Sequence, residues 1–301
     1  MQKTPFYHLL AFVVVAIWGE TFVSTKLLLL NGLSPAHIFT LRFIIAYILL
    51  LTISLTMYRH RWMAKSIRDE LMMFALGVTG GSLYFLTENA AMNYTTTTNT
   101  SLIVCLCPLF ASLLISIFYR TERLCGIQIM GTILAAIGVT FVVLNGHFVL
   151  HLSPRGDTLA FTACLCWAVY SLLLIPASKG YDTLFITRKV FAYGLLSILP
   201  YFALYTQMPP MSALLRLDTI LQLLYLGCIA STLCFIAWNW VVRRLGVVVT
   251  TNYVYFNPVV TIVCAWIVLD EKITEWFLLG TALILVGMSF ASRKRRQVPH
   301  E

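Results

Sequence analysis

Charge is what this chain of 301 residues has least of. Asp, Glu, Lys and Arg together make up 11% of it, and only 12 residues are acidic. Soluble domains carry roughly 25% charged residues, so there is too little charge here to cover a water-facing surface. No stretch between the apolar runs is long enough to hold a separate soluble domain. No cleavable leader is evident: the first apolar run can span a membrane and lacks a small-residue cleavage site, so it is expected to stay as a helix.

Clusters that carry chemistry are equally scarce. The eight cysteines lie within or at the edges of apolar runs, with no framework in the loops, and read as small buried hydrophobes. Cys105 and Cys107, like Cys164 and Cys166, are two apart, which puts them about 200° apart on a helix, unable to hold one ion. His147 and His151 are four apart, but in a loop with no third ligand nearby. No phosphate-cradling glycine loop appears, which argues against ATP-driven work by this chain alone. An intramembrane enzyme would need a converging nucleophile, base or metal set, and the spans offer only His8 and His37 near their ends. No catalytic residue, metal or cofactor is therefore expected.

Apolar sequence is plentiful: 59% of residues are hydrophobic and the mean hydropathy is +0.85. A spanning helix needs about 20 mostly apolar residues. Candidates fall at 6–28, 36–57, 70–92, 98–119 and 124–144, then at 157–176, 184–206, 218–240, 247–268 and 274–292. Short turns rich in Pro, Gly and Asn separate them, such as Asn31-Gly32-Leu33-Ser34-Pro35 and Ser153-Pro154-Arg155-Gly156. The fold class expected is an all-α integral membrane protein of ten transmembrane helices. Ten spans put both ends on one side. If that side is cytoplasmic, 14 of the 21 Lys and Arg fall in inner segments. Only Arg155, Arg216 and Lys272 lie outside, while Lys26, Arg42, Arg188 and Lys189 lie in or at the ends of helices. This positive-inside bias predicts an N-in, C-in orientation. It also accounts for the net charge of +9 without nucleic acid. The basic tail Arg293-Lys294-Arg295-Arg296 suits the anionic inner leaflet.

The chain also resembles itself. A shift of 150 residues superposes Leu76-Gly77 on Leu226-Gly227, Phe85 on Phe235, Asn89 on Asn239 and Pro108 on Pro258. A shift of 149 superposes Glu122 on Glu271, Gly131-Thr132 on Gly280-Thr281, Gly138 on Gly287 and, more loosely, Trp18 on Trp167. Each half holds five helices, an odd number, so the halves enter the membrane in opposite directions. Inverted repeats of this kind recur in secondary transporters, whose site lies near the midplane between halves. Pro108 and Pro258 free the carbonyls of Val104 and Val254. Such carbonyls are tolerated against protein or a water-filled cavity, so the prolines mark either packing kinks or a shared central cavity. Gly131, Ala135 and Gly138, with Gly280 and Gly287, make small-residue faces for close helix packing.

These features together resemble the drug/metabolite transporter superfamily in its ten-helix EamA-domain form, across essentially the whole chain. The resemblance rests on Trp18-Gly19, Phe22 and Lys26 in the first helix and Arg42 in the second. It rests equally on Pro108…Glu122…Gly131…Gly138, repeated as Pro258…Leu269-Asp270-Glu271…Gly280…Gly287. It implies two EamA-type five-helix repeats, 1–149 and 150–301. It further implies a multi-pass transporter of the cell (inner) membrane that moves small metabolites, often outward, by alternating access. The family pattern reads Leu-Gly-Glu where this chain has Leu269-Asp270-Glu271, and the first copy, Arg120-Thr121-Glu122, departs further.

Ionisable residues within spans are functional candidates. Glu20 and Glu88 are read as substrate or proton-coupling sites, or else as ion pairs with Lys26 or Arg42 that hold helices together. Lys26 and Arg42 are read as structural or gating groups. A pocket of aromatic and amide residues is expected from Trp18, Tyr84, Asn89, Trp167, Tyr170, Trp238, Asn239, Tyr253 and Asn257, suiting a small amphipathic ligand such as an amino acid or amine. Trp240, Trp266 and Trp276 read as interfacial belt residues. Thr95 to Ser101 reads as a helix-opening cap. Glu122 and Glu271 mark turns on opposite faces, with a gating role open. The partners expected are a small-molecule substrate, membrane lipids and protons as coupling ion, with no nucleic acid, in a monomer or homodimer. The alternative reading is a flippase for a lipid-linked intermediate, which needs a lateral opening and a basic site for phosphate.

Overall fold

The computed structural model describes residues 4–57, 62–95, 97–119, 126–144, 153–205, 209, 211–269 and 275–291. No strand is present among them. In chain order the first half runs α1 (Thr4–Leu30), α2 (Pro35–Met57), α3 (Ile67–Ala91), α4 (Thr97–Val104), α5 (Cys107–Phe118) and α6 (Gly126–Leu144). The second runs α7 (Pro154–Gly180), α8 (Thr183–Tyr205), the single turn α9 (Met211–Leu214), α10 (Leu217–Leu245), α11 (Val247–Thr251), α12 (Asn257–Leu269) and α13 (Glu275–Ala291). Seven helices among the described residues are long and apolar enough to cross a membrane, and α5, α6 and α13 contribute shorter apolar segments. Large apolar side chains such as Leu30, Leu71, Leu204 and Leu217 face outward; lipid accommodates such a surface and water does not. Trp240, Trp266 and Trp276 are likewise exposed.

The chain turns where its residues allow it. Gly32 takes φ +94 to end α1, and Pro35 opens α2, where its missing N–H costs nothing. Gly246, at φ +90, caps α10 and receives the turn into α11. Ser66 caps α3 by accepting from the Asp69 N–H at 3.2 Å. Pro108 and Pro258 do more than kink their spans. Each lies in the first turn of a new helix, α5 and α12, because the residues before them leave the α-helical ladder: Cys105–Leu106 as a turn, Asn252–Phe256 as a tight 3₁₀ segment. The two breaks face each other. Cys105 donates its thiol at 3.5 Å to the Val254 carbonyl, which also receives the Asn257 N–H.

Two further irregularities are wide π-helical turns, Val78–Ser82 within α3 and Tyr225–Leu233 within α10. They fall on sequence that the 150-residue shift superposes. Elsewhere the packing is regular and tight. Along α6 and α13 the glycines meet as a seam: a Cβ on Gly131 would lie 2.4 Å from the Ala291 nitrogen, and one on Gly138 2.7 Å from the Gly280 carbonyl oxygen. A Cβ on Gly287 would meet the Ala135 nitrogen at 2.4 Å. Backbone approaches backbone, as small-residue faces permit. Glu122, Asp270, Glu271, Lys272, His147, His151 and Arg293 to Arg296 lie outside the described residues.

Candidate functional site

A chamber opens in the middle of the bundle, with about 450 Å³ of atom-free space counting the part open to the outside. α1 supplies Trp18, Thr21 and Phe22, and α2 supplies Arg42. Tyr84, Phe85 and Glu88 come from α3, Val104 and Cys107 from the α4–α5 break, and Trp167 from α7. The wall is completed by Phe235, Val254 and Asn257. Val104 and Val254, each four residues before one of the prolines, both border the cavity, as expected for irregular backbone at membrane depth.

The walls are mainly aromatic. Trp18 lies edge-on to Trp167 at 5.6 Å between centroids and to Phe235 at 5.5 Å, while Tyr84 tilts against Trp167 at 5.2 Å. Two opposite charges are set into them, both more than nine-tenths buried. Arg42 stacks over Phe85, 4.4 Å from its centroid, and donates from Nε to the Ser231 hydroxyl at 2.9 Å. A guanidinium carries five N–H donors, so this bond uses a small part of its capacity. Glu88 accepts from the Tyr84 hydroxyl at 2.6 Å. Arg42 lies within electrostatic reach of Glu88. The ion pairs among the described residues are Lys189–Glu70 and Arg216–Asp218, so Arg42 and Glu88 face the cavity as separate charges.

Two polar atoms in the wall have no partner. Trp167, 5% exposed, leaves its indole N–H undonated, and Asn257, 4% exposed, leaves its Oδ1 without a donor. Buried polar groups are nearly always satisfied. A donor and an acceptor that are both orphaned against one cavity are what a polar ligand would complete.

Of the residues expected in a pocket, the structure brings Trp18, Tyr84, Glu88, Trp167 and Asn257 to the chamber. Arg42, read as structural, is there too. The rest lie behind the wall. Trp238 packs on Trp18 at 4.9 Å. Tyr170 donates to Asn239 at 3.2 Å, and Asn239 in turn donates to Thr187 at 2.9 Å, a buried polar chain tying α7, α10 and α8. Asn89 reaches the Pro35 carbonyl at 3.4 Å. Tyr253 bonds His8 at 2.5 Å near the start of α1. Lys26 caps the end of α3 by donating to the Met92 carbonyl at 2.8 Å, so the ion-pair alternative is not what it adopts. Glu20 does not line the chamber; its carboxylate accepts from Ser24 at 2.7 Å.

Sequence reasoning missed Thr21, Phe85, Cys107 and Phe235, because a wall of apolar and small residues has the same signature as packing. It also missed a network at the end of the bundle where α1 begins. There Glu70 accepts from Lys189 and from Tyr193, and from the Ala64 N–H at 2.6 Å. Tyr181 donates to Asp69 at 2.8 Å and receives the Lys65 N–H at 2.7 Å. This network joins the start of α3 to the α7–α8 turn, and lies roughly 27 Å along α3 from Glu88 at a rise of about 1.5 Å per residue. At the opposite end, Asn31 reaches Asp218 at 3.2 Å and Thr219 at 3.1 Å in an exposed link.

Comparison with known proteins places this geometry. The pattern of the EamA-like transporter family matches residues 5–144 and again residues 154–293. An uncharacterized transporter of Archaeoglobus fulgidus is 26% identical over 96% of this chain and 98% of its own length. A probable amino-acid metabolite efflux pump of Escherichia coli (strain K12) is 26% identical, covering 93% of this chain and 92% of its own. A probable terminal-alkyne amino-acid exporter of Streptantibioticus cattleyicolor is 27% identical over 75% of this chain and 74% of its own. A crystal structure with 19% identity superposes with a TM-score of 0.72, covering 95% of this chain and 97% of the other, which shows a shared fold.

Proposed function

Because the chain belongs to the EamA-like transporter family and is a multi-pass membrane transporter, we propose that it exports a small amphipathic metabolite, an amino acid or an amine, through the central chamber. One observation carries this reading: a buried carboxylate, a buried guanidinium, an orphan N–H and an orphan carbonyl oxygen converge on one aromatic-walled cavity. An ammonium group is matched by Glu88 and the Asn257 oxygen, a carboxylate by Arg42 and the Trp167 N–H, and an apolar body by the rings. Two relatives named for amino-acid export support the class and the direction. Relatives are named as transporters, and no catalytic role is assigned here.

The transport cycle follows from the expected plan of ten spans in two inverted five-helix halves, 1–149 and 150–301, N-in and C-in in the cell (inner) membrane. In that orientation the chamber lies towards the outer ends of α1, α2 and α3, and the Glu70–Lys189–Tyr193 network closes the cytoplasmic end. Alternating access requires that this network separate as the outer ends close on Arg42 and Glu88. Gly131, Gly138, Gly280 and Gly287 stay a fixed seam, while Pro108 and Pro258 mark the broken segments that can move.

The test is reconstitution of the purified protein into liposomes, with counterflow measured across amino acids, amines and nucleosides. Saturable exchange of an amino acid or amine is the expected result. Folded protein that is silent across the whole panel would transfer weight to a flippase for a lipid-linked intermediate, with Arg42 then meeting phosphate.

A further inference from the structure

The two ends of the bundle are fastened by contacts that occupy corresponding places in the two halves. Tyr181 is the first residue past α7 and Asp69 the third residue of α3. The Tyr181 hydroxyl donates to Asp69 at 2.8 Å. Asn31 is the first residue past α1 and Thr219 the third residue of α10. The Asn31 amide donates to the Thr219 hydroxyl at 3.1 Å. The 150-residue shift that superposes Leu76-Gly77 on Leu226-Gly227 also carries Asn31 onto Tyr181 and Asp69 onto Thr219. One contact is therefore made twice, at opposite ends of the bundle. In each, the turn after a long helix grips the start of a helix that contains a wide turn.

Their surroundings differ. Beside Asp69 stands Glu70, which accepts from Lys189 and Tyr193 of α8 and from the Ala64 N–H at 2.6 Å. Lys65 gives its N–H to the Tyr181 hydroxyl at 2.7 Å and its ammonium to the Gly180 carbonyl at 3.2 Å. Lys189 is buried and Glu70 largely so, and charge-assisted bonds are the stronger kind. The residue of α10 that corresponds to Glu70 is Ile220, which can make no such bond. Asn31 also reaches Asp218 at 3.2 Å, but Arg216 already engages both oxygens of that carboxylate. Arg216 and Asp218 are half exposed, and exposed pairs contribute little because water competes for them. One end is thus fastened by a shielded ion pair and its neighbours, the other by hydrogen bonds at the surface.

We propose that these two contacts are paired latches of the transport cycle, released one at a time, and that Glu70 makes the α3 latch the harder to release. This rests on the transport reading above. Alternating access requires the two ends to open in turn. A contact that the inverted repeat duplicates can be kept at one end while it is broken at the other. Both are made in this structure, so the weaker one decides which end opens first. That is the end where α1 finishes and α10 begins, and the chamber is reached from there more often than from the end where α3 begins. Lys189, Tyr193 and the Ala64 N–H act through Glu70 as positioning groups, and none of them borders the chamber.

Distances between spin labels at the two ends test this before any substrate is known. One pair takes exposed positions at the α3 end, Arg68→Cys with Lys179→Cys; the other takes Leu30→Cys with Leu217→Cys. The parent, with its own eight cysteines, is labelled alongside as the blank. In otherwise unchanged protein the Leu30–Leu217 pair should show an added longer distance, and the Arg68–Lys179 pair a single short one. Glu70→Gln should raise the longer population at the α3 end about 10-fold, the loss of one charge-assisted contact, and Glu70→Asp should restore much of the short distance. Asn31→Ala should lengthen the other pair alone. If Glu70→Gln folds poorly, Tyr181→Phe, which removes one hydroxyl, should give the same one-sided shift in smaller amount. Distances that no variant changes, or that lengthen at both ends together, would overturn the latches while counterflow by the parent keeps the transport reading intact. A folded parent that exchanges nothing across the panel would overturn the transport reading, and the latches' place in a cycle with it.

Discussion

The wide turns of α3 and α10 lie at corresponding places in the two halves but are filled with different chemistry. In α3 the turn reads Val78-Thr79-Gly80-Gly81-Ser82, and its glycines bring backbone against ring: a Cβ on Gly80 would lie 2.3 Å from the Tyr170 ring. In α10 the corresponding stretch carries Ala230, Ser231 and Thr232, and the same widening turns polar atoms towards the first half. Ala230 receives the Trp18 N–H, Ser231 receives Arg42, and Thr232 donates back to the Gly227 carbonyl at 2.8 Å. The consequence shows in two tryptophans that the 149-residue shift superposes. Trp18 finds its acceptor on the α10 turn. Trp167 finds none, and its N–H is left without a partner in the chamber wall. A twofold plan thus yields a one-sided site, with a tethered cation on one wall and an unspent donor on another. Wide turns of this type often mark functional positions; here the α3 turn packs on Tyr170 and ties to α8 through Ser82 and Ser197, while the α10 turn anchors Trp18 and Arg42.

Substitutions can break this comparison. The largest effect is expected from Gly80→Leu, since a ring held by Asn239 cannot retreat; no monodisperse folded protein should appear on size-exclusion chromatography. Even Gly80→Ala should cost about 1–3 kcal/mol through overpacking, seen as a lower melting temperature. Ser231→Ala unties Arg42 and leaves a buried guanidinium donor unpaired, at about 1–3 kcal/mol. It should lower the melting temperature and raise KM for counterflow roughly 10-fold. Trp167→Phe keeps the ring but removes the orphan donor. Affinity should fall about 2- to 10-fold, the worth of one neutral hydrogen bond, while the melting temperature holds or rises because an unsatisfied N–H has gone. That opposite sign sharpens the contrast with Ser231→Ala. The smallest effect is expected from Thr232→Val, which removes one bond bracing the wide turn, about 0.5–1.5 kcal/mol, with transport unchanged at saturating substrate.

Much of the frame was legible in the sequence for identifiable reasons. Hydrophobic length located the apolar helices, because a bilayer sets a minimum run. Gly131, Gly138, Gly280 and Gly287 pointed to close packing because only small side chains allow backbones to touch. Pro108 and Pro258 pointed to irregular backbone at Val104 and Val254, and both residues border the chamber. Helix rotation was not legible. Glu20 and Glu88 look alike in sequence, two carboxylates inside apolar runs, yet one faces the chamber and the other faces away, because rotation is set by packing against distant helices. The pairing of Glu70 with Lys189 and Tyr193 spans more than 100 residues of sequence, so no local pattern announces it. The wide turns have no signature beyond small and hydroxyl residues. Trp167 was read as a pocket residue for its ring, whereas its distinguishing feature, the unpaired N–H, depends on which distant groups the fold brings beside it.

The account depends on the chamber being the transport route, with Glu88 as its buried charge. The most direct test compares counterflow by the parent and by Glu88→Gln, reconstituted in equal folded amounts with the substrate the panel identifies. Losing a charge-assisted contact worth about 1.5–3 kcal/mol should cut exchange roughly 10- to 100-fold with the melting temperature little changed. Equal exchange by the two proteins would contradict the account, because the carboxylate facing the chamber would then play no part in transport.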